Sequence, residues 1–323
     1  MRGVFLDTDT LKLDELNTSA LTATLDEWQL YRHTCAHETI ERARSATVIV
    51  TNKVVIDADV IAACPALKLI CVSATGTNNI DHAAAAARGI AVCNVSGYAS
   101  ASVAQHTFAL MLALATRWHE YNRDVRNGEW SRASQFCLLH RPVTELAGKT
   151  LGIVGYGDLG QAVARLATAF GMQVLVAESR QHGVQPVAGE TRVTMAELLP
   201  QCDVISLHCP LTADNQGMVN CDWLTNMKPG AWLINTARGG LIDEPALAQS
   251  LRDGHLGAAA LDVLSVEPPP EDHPLLASDI PNLIITPHNA WISRECRQRL
   301  LDGVVANIEA HVGNGQVGRE SPT

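Results

Sequence analysis

Short apolar and β-branched runs alternate with stretches of helical character from the first residues of the chain. Over the first hundred positions the runs are "VFLD", "QLYRH", "TVIVTN", "LKLICVSA" and "IAVCNV", with segments such as the alanine-rich "HAAAAARG" between them. Alternation of this kind predicts a parallel sheet with crossover helices. In "SASVAQHTFALMLALATRW", Val103, Thr107, Leu110, Met111, Leu114 and Trp118 recur at helical spacing, and Ser102 with Gln105 has the form of a capping box. That pattern predicts a long helix over 102–118 and a domain boundary. "NGEWSRASQFCLLHRPVTELAG" reads as a loop and leads into a second series that starts at "KTLGIVGYG". Its expected strands are "TLGIVG", "QVLVAE", "VISLHCP", "WLINTA", "AALDVL" and "LIITPH". The fold class is therefore α/β, two such units in tandem, with no internal repeat or low-complexity segment.

Composition narrows the partners. A chain of 323 residues with 47% hydrophobic and 18% charged residues suits two globular domains with sizeable cores. A net charge of -10 argues against nucleic acid and against an anionic membrane surface, both of which are bound through clustered Lys and Arg. The start "MRGVFLDTDTLKLDEL" lacks a signal-peptide pattern, and no apolar run has the length to span a bilayer, so the expectation is a cytoplasmic protein. The nine cysteines are scattered without a CxxC pair or a metal-like Cys/His cluster, and they read as reduced and mostly buried, with no metal site.

Within "LGIVGYGDLGQAVARLATAFG", Gly155, Gly157 and Gly160 have G-x-G-x-x-G spacing between an apolar strand and an amphipathic helix. The first glycine permits the tight turn, the second lets backbone amides approach a pyrophosphate, and the third lets helix pack on strand. Glu178 ends "MQVLVAE", where a carboxylate accepts hydrogen bonds from ribose hydroxyls and repels a 2′-phosphate. This favours NAD, with NADP the weaker alternative because Arg180 follows at the position where a cation would pair with such a phosphate.

Ligands of doubly wound sheets bind beyond the carboxyl ends of the strands. Arg238 ends "WLINTA", Glu267 follows "AALDVL" and His288 ends "LIITPH", so three successive strands each deliver a functional side chain to one rim. An arginine, a carboxylate and an imidazole beside a dinucleotide suit hydride transfer to an anionic carbonyl substrate. Taken singly, Arg238 could equally cap a strand end and pair with a surface acid, Glu267 could be an exposed loop acid, and His288 surface polarity. Asp262, inside "AALDVL", is either a strand-end acid or a partner for the nicotinamide carboxamide.

The ordered set "GYGDLG", "HCPLT", "MKPGAWLINTARGGLIDEPAL", "AALDVLSVEP" and "TPHNAW" resembles the D-2-hydroxyacid dehydrogenase family, over about residues 45 to 312. The resemblance is to its glycerate dehydrogenase and hydroxypyruvate reductase branch. It implies two Rossmann-like doubly wound domains: a discontinuous, flavodoxin-like substrate domain at 1–99 and 291–323, and an NAD-binding domain at 100–290. By the same resemblance Arg238 would hold the substrate carboxylate and carbonyl, Glu267 would orient the histidine, and His288 would be the general acid and base. Ala74, Thr75 and Gly76 in "SATGTNNID" would offer backbone amides to the substrate from the other domain, and Trp291 would line its pocket. The cofactor would meet Gly155, Gly157, Asp158, Leu159, Gly160 and Glu178, then His208 and Pro210 of "HCPLT", Thr236, Ala237, Arg238, Asp262 and His288. A homodimer through the helix at 102–118 and the arm after it is also implied, although the apolar period of that helix fits an intramolecular core equally well.

The chain departs from the family pattern in places. Ala74 stands where many members have glycine, which fits the hydroxypyruvate reductase branch, and Asp158 puts an acid in the phosphate loop. The implied reaction is NAD-linked hydride transfer between a small D-2-hydroxy acid and its 2-oxo acid, foremost D-glycerate and hydroxypyruvate, or glyoxylate. The alternatives are a relative acting on pyruvate or a branched 2-oxo acid, and a corepressor-like protein that senses NAD.

Overall fold

A computed structural model describes residues 1–179 and 191–314, which fall into two compact units, one of Met1–Ala99 with the segment from Trp291 and one of Ser100–Ala290. The first carries five parallel strands, β1 (Arg2–Phe5), β2 (Glu27–Leu30), β3 (Val48–Thr51), β4 (Leu69–Val72) and β5 (Ala91–Cys93), in the order β2-β1-β3-β4-β5. Every residue of β3 and β4 is buried because both faces of the sheet are covered. One face packs Val4, Ile49, Ile70 and Val72 with the small helices between strands. The other packs Phe5, Val48, Val50, Leu69 and Cys71 against Leu300, Leu301, Val304 and Ile308 of the last helix, Arg294–Asn314. Strand β2 lies at the sheet edge with a half-exposed pattern, ending before Tyr31, so the expected run "QLYRH" is placed a few residues too late.

The second unit has seven parallel strands: β6 (Thr150–Val154), β7 (Gln173–Ala177), β8 (Arg192–Val193), β9 (Val204–Leu207), β10 (Trp232–Asn235), β11 (Ala258–Leu261) and β12 (Leu283–Ile285). Their order is β12-β11-β10-β9-β6-β7-β8, so the chain order reverses direction between β6 and β9, the kind of switch point that opens a crevice at the strand ends. Strand β8 is only two residues long and leaves no periodic signal in the sequence. Arg180 lies outside the described residues.

The long helix runs Ser100–Thr116, two residues earlier than its pattern suggests at each end. Ser102 is therefore inside the helix and caps nothing; its Oγ donates to the Ala290 carbonyl at 2.7 Å. Arg117 takes a left-handed backbone (φ 50°), which stops the helix, and Trp118 opens a separate helix, Trp118–Arg126, on which it is exposed. Among the described residues no helix is long and apolar enough to cross a membrane.

Just past the ends of β6 and β9, and where the next helix crosses the same turn, the backbones approach so closely that glycine is required. A Cβ on Gly155 (φ 96°) would lie 2.4 Å from the Cys209 nitrogen, and one on Gly160 would lie 2.1 Å from the Gly155 oxygen. The His208 amide donates to the Val154 carbonyl at 2.7 Å, its side-chain Nε2 meets Ser206 Oγ at 2.8 Å, and Nδ1 has no partner among the described residues. Burial disfavours the charged imidazole and pulls the His208 pKa from 6.5 down to about 4. As pH falls below 6.5 the unfolded chain takes up a proton that the folded one refuses, so stability is lost until about pH 4 and not further. Between pH 7 and 5 the wild type should lose about 2 kcal/mol more than a His208→Gln variant, read from urea titrations at both pH values. Parallel losses in the two proteins would contradict the buried neutral imidazole.

Candidate active site

The crevice at the strand ends of the second unit begins with the glycine loop. Gly157 is the N-cap of the helix Asp158–Ala169, and no side chain caps the helix's first amides. A Cβ on Gly157 would meet nothing within 4 Å, so the backbone there is open to a ligand, and the helix N-terminus adds partial positive charge. Asp158 is exposed and Leu159 half-buried, while Gly160 is buried where helix meets strand. Glu178 follows β7 as an exposed carboxylate whose amide donates to Val193 O at 2.9 Å. Open amides, a helix N-terminus and a strand-end acid together fit a dinucleotide diphosphate and ribose. His208 is buried beside the loop, and exposed Pro210 accepts from Asn215 Nδ2 at 2.8 Å.

Strand β10 leads to buried Thr236 and Ala237 and then to exposed Arg238. Thr236 Oγ1 pairs with Thr107 Oγ1 at 3.0 Å, and Asn235 stitches the turn by accepting from the Ala237 amide at 2.9 Å and donating to the Arg238 carbonyl at 2.9 Å. The Arg238 guanidinium donates to the Ala237 carbonyl through Nη1 at 2.7 Å, and among the described residues it forms no ion pair. The reading of Arg238 as a partner for a surface acid therefore finds no such acid among those residues. A planar fork of donors without a carboxylate partner suits an anionic ligand.

Glu267 and His288 meet. Glu267 Oε2 lies 2.6 Å from His288 Nδ1, with the two side chains about one-third exposed, and the Leu264 amide donates to Glu267 Oε1 at 2.9 Å. A carboxylate on Nδ1 assigns a proton to that nitrogen and leaves Nε2 for exchange with a ligand. His288 sits at φ 52° in the turn after β12, its amide donating to Asp262 O at 2.8 Å.

Asp262 is almost wholly buried, and its carboxylate grips both sides of that turn. Thr286 Oγ1 and the Asn289 amide donate to Oδ1 at 2.5 and 2.9 Å, and the Ala290 amide to Oδ2 at 2.9 Å, with His106 Nε2 3.4 Å from Oδ1. Burial alone would raise its pKa, but His106, Thr286 and the two amides together hold it below the usual carboxylate range. Asp262 thereby shapes the turn that carries His288.

Sequence reasoning missed the support beneath Glu267. A Cβ on Gly239 would fall 1.9 Å from the Leu264 carbonyl carbon, so only glycine lets the turn after Arg238 pack on the segment leading to Glu267. The second of the two acids in "LIDEP", so close after the arginine and its glycines, is the signal that was available for Glu244, which hydrogen-bonds Ser265 at this junction.

The remaining expected residues belong to the first unit. Ala74, Thr75 and Gly76 follow β4; Ala74 is buried, Thr75 Oγ1 donates to Val95 O at 3.2 Å, and Asn94 Nδ2 donates to Thr75 O at 2.7 Å. Trp291 is half-buried and edge-on to Tyr98, with ring centroids 6.5 Å apart.

Comparison with known proteins bears on this geometry. The family profile described as "D-isomer specific 2-hydroxyacid dehydrogenase, NAD binding domain" matches residues 108–290. The chain is 44% identical to the glycerate dehydrogenase of Methylorubrum extorquens, over 94% of this chain and 96% of that protein. It is 38% identical to the hydroxypyruvate reductase of Blautia hydrogenotrophica, over 96% of each. The crystal structure of the TT0316 protein from Thermus thermophilus superposes with a TM-score of 0.86 at 37% identity, covering 100% of this chain and 99% of that one. With the glycine loop and the Arg–Glu–His strand ends in place, the chain belongs to the D-isomer specific 2-hydroxyacid dehydrogenases, NAD-dependent oxidoreductases of 2-hydroxy acids.

Proposed function

We propose that the protein reduces hydroxypyruvate to D-glycerate, with glyoxylate as a second substrate, using NADH in preference to NADPH. The observation that carries this reading is the Arg238 fork, without an ion-pair partner among the described residues, at the strand end next to the one that leads to the hydrogen-bonded Glu267–His288 pair. The names of the glycerate dehydrogenase and hydroxypyruvate reductase relatives support the choice of substrate. The nicotinamide, when bound, supplies the hydride that reduces the carbonyl carbon. Arg238 binds the substrate carboxylate, His288 delivers the Nε2 proton to the carbonyl oxygen as it gains charge, and Glu267 stabilises the protonated ring and fixes its plane. In the oxidative direction the neutral ring accepts the hydroxyl proton. Glu178 accepts the ribose hydroxyls and repels a 2′-phosphate.

The same proposal includes a homodimer in the cytoplasm. Trp118, Trp130, Phe136, Leu139 and Val143 crowd large apolar surfaces onto the short helix and the arm after it, with Phe136 90% and Leu139 79% exposed. The arm is nonetheless pinned in shape, since Arg141 grips Asp124 through Nε and Nη2 at 2.7 and 2.9 Å. Exposed large apolar side chains on this segment suit a second copy of the chain. None of the nine cysteines forms a disulfide, as suits a reducing compartment.

Steady-state NADH oxidation with hydroxypyruvate, glyoxylate, pyruvate and a branched 2-oxo acid should give the highest kcat/KM for hydroxypyruvate. Arg238→Ala should lower it by about a hundredfold or more while NADH affinity stays within a few-fold. A best substrate other than hydroxypyruvate, or a collapse of NADH affinity alone, would contradict the assignment. For the ribose site, Glu178→Ala should narrow the NADH-over-NADPH ratio of kcat/KM by about tenfold or more; a wild type that prefers NADPH would rule it out. For the assembly, sedimentation of a Phe136→Asp/Leu139→Asp variant should show monomers where the wild type sediments as a dimer, and an unchanged dimer would remove the arm from the interface.

A further inference from the structure

The segment from Ser265 to His273, "SVEPPPEDH", is largely exposed and rich in proline, yet it must hold Glu267 within hydrogen-bond reach of His288. Both of its ends are tied to one buried side chain. Glu244, the first residue of the helix Glu244–Arg252, accepts the Ser265 amide on Oε1 at 2.7 Å and the Ser265 hydroxyl on Oε2. At the other end, buried His273 meets Glu244 Oε2 through Nε2 at 3.1 Å. His273 Nδ1 accepts the Leu275 amide at 3.3 Å, which assigns the ring proton to Nε2 and makes it the donor to Glu244. The Ser265 anchor lies next to Leu264, whose amide holds Glu267 Oε1 at 2.9 Å. Glu244 itself follows the Arg238–Gly239 turn by only a few residues, and that turn packs backbone to backbone on Leu264 and Ser265.

We propose that Glu244 is a positioning residue for the reaction: by tying Ser265 and His273 to the helix that follows the Arg238 turn, it sets where Glu267 meets His288. The inference rests on the roles proposed above for Glu267 and His288. A carboxylate suits the task because it takes three donors from two ends of a loop at once, in a buried setting where charge-assisted hydrogen bonds are strong. Freed of that tether, the exposed segment would let Glu267 drift, and a displacement of about 1 Å at a catalytic group can cost on the order of a hundredfold in rate.

The test is a double-mutant cycle with Glu267→Gln. Glu244→Ala should lower kcat for hydroxypyruvate by about tenfold or more, with KM and NADH affinity within about twofold, because binding groups are untouched. Introduced into Glu267→Gln, the same change should cost less than about twofold, since the carboxylate it positions is already neutral. Leaving His273 without its partner could unfold the loop, so a second variant, Glu244→Met with His273→Leu, removes both buried polar groups together. It should keep the wild-type melting temperature and show the same loss of kcat. Ser265→Ala, which keeps the backbone donor, should show a milder loss of about threefold in kcat alone. Wild-type kcat in the Glu244 variants, or a loss fully additive with Glu267→Gln, would overturn the positioning role. A Glu267→Gln enzyme with wild-type kcat would overturn the reading of the site as well, whereas a slow Glu267→Gln beside an unaffected Glu244 pair would overturn this inference alone.

Discussion

A charge buried at the end of β11 is the constraint on which the geometry around His288 rests. Asp262 is only 1% exposed, and a carboxylate taken out of water is tolerated only where donors replace the solvent. The donors are the side chains of Thr286 and His106 and the amides of Asn289 and Ala290, before and after His288. Holding all of them obliges the chain to turn sharply in between, and His288 takes the left-handed conformation that a non-glycine residue adopts at a cost of about 1 kcal/mol. The imidazole is thus placed by backbone, with Glu267 hydrogen-bonded to its Nδ1.

Close backbone contacts transmit that placement along the rim. Gly239 lets the Arg238 turn press on Leu264 and Ser265, and Gly155 lets the phosphate loop press on His208 and Cys209. Each contact joins neighbouring strand ends: β10 to β11 beside Arg238, β6 to β9 at the glycine loop. A side chain at either position would push those two segments apart. The glycines therefore set distances between functional groups in addition to allowing turns.

Much of this was legible in the sequence because it follows from period and strand-end position. The two parallel sheets came from alternating runs, the glycine loop from spacing in a strand–loop–helix context, and Arg238, Glu267 and His288 from their places at successive strand ends. The illegible parts depend on three-dimensional neighbours. Ser102 looked like a cap because a capping box is a local pattern, while its hydroxyl serves Ala290, distant in sequence. Trp118 kept the helical period although Arg117 breaks the helix, since a single left-handed residue leaves no trace in an apolar pattern. The grip of Asp262 on the His288 turn and of Glu244 on the Glu267 loop joins residues 24 to 28 and 21 to 29 positions apart, which no local motif encodes.

The central claim is that His288 passes the proton to the substrate oxygen while Arg238 supplies binding. The most direct measurement is single-turnover oxidation of enzyme-bound NADH by saturating hydroxypyruvate, followed at 340 nm for wild type and His288→Asn. The account predicts a hydride-transfer rate lower by about three orders of magnitude in the variant, the middle of the range for a general acid, with hydroxypyruvate affinity changed no more than a few-fold. A variant that transfers hydride at the wild-type rate, or that loses only substrate affinity, would contradict it.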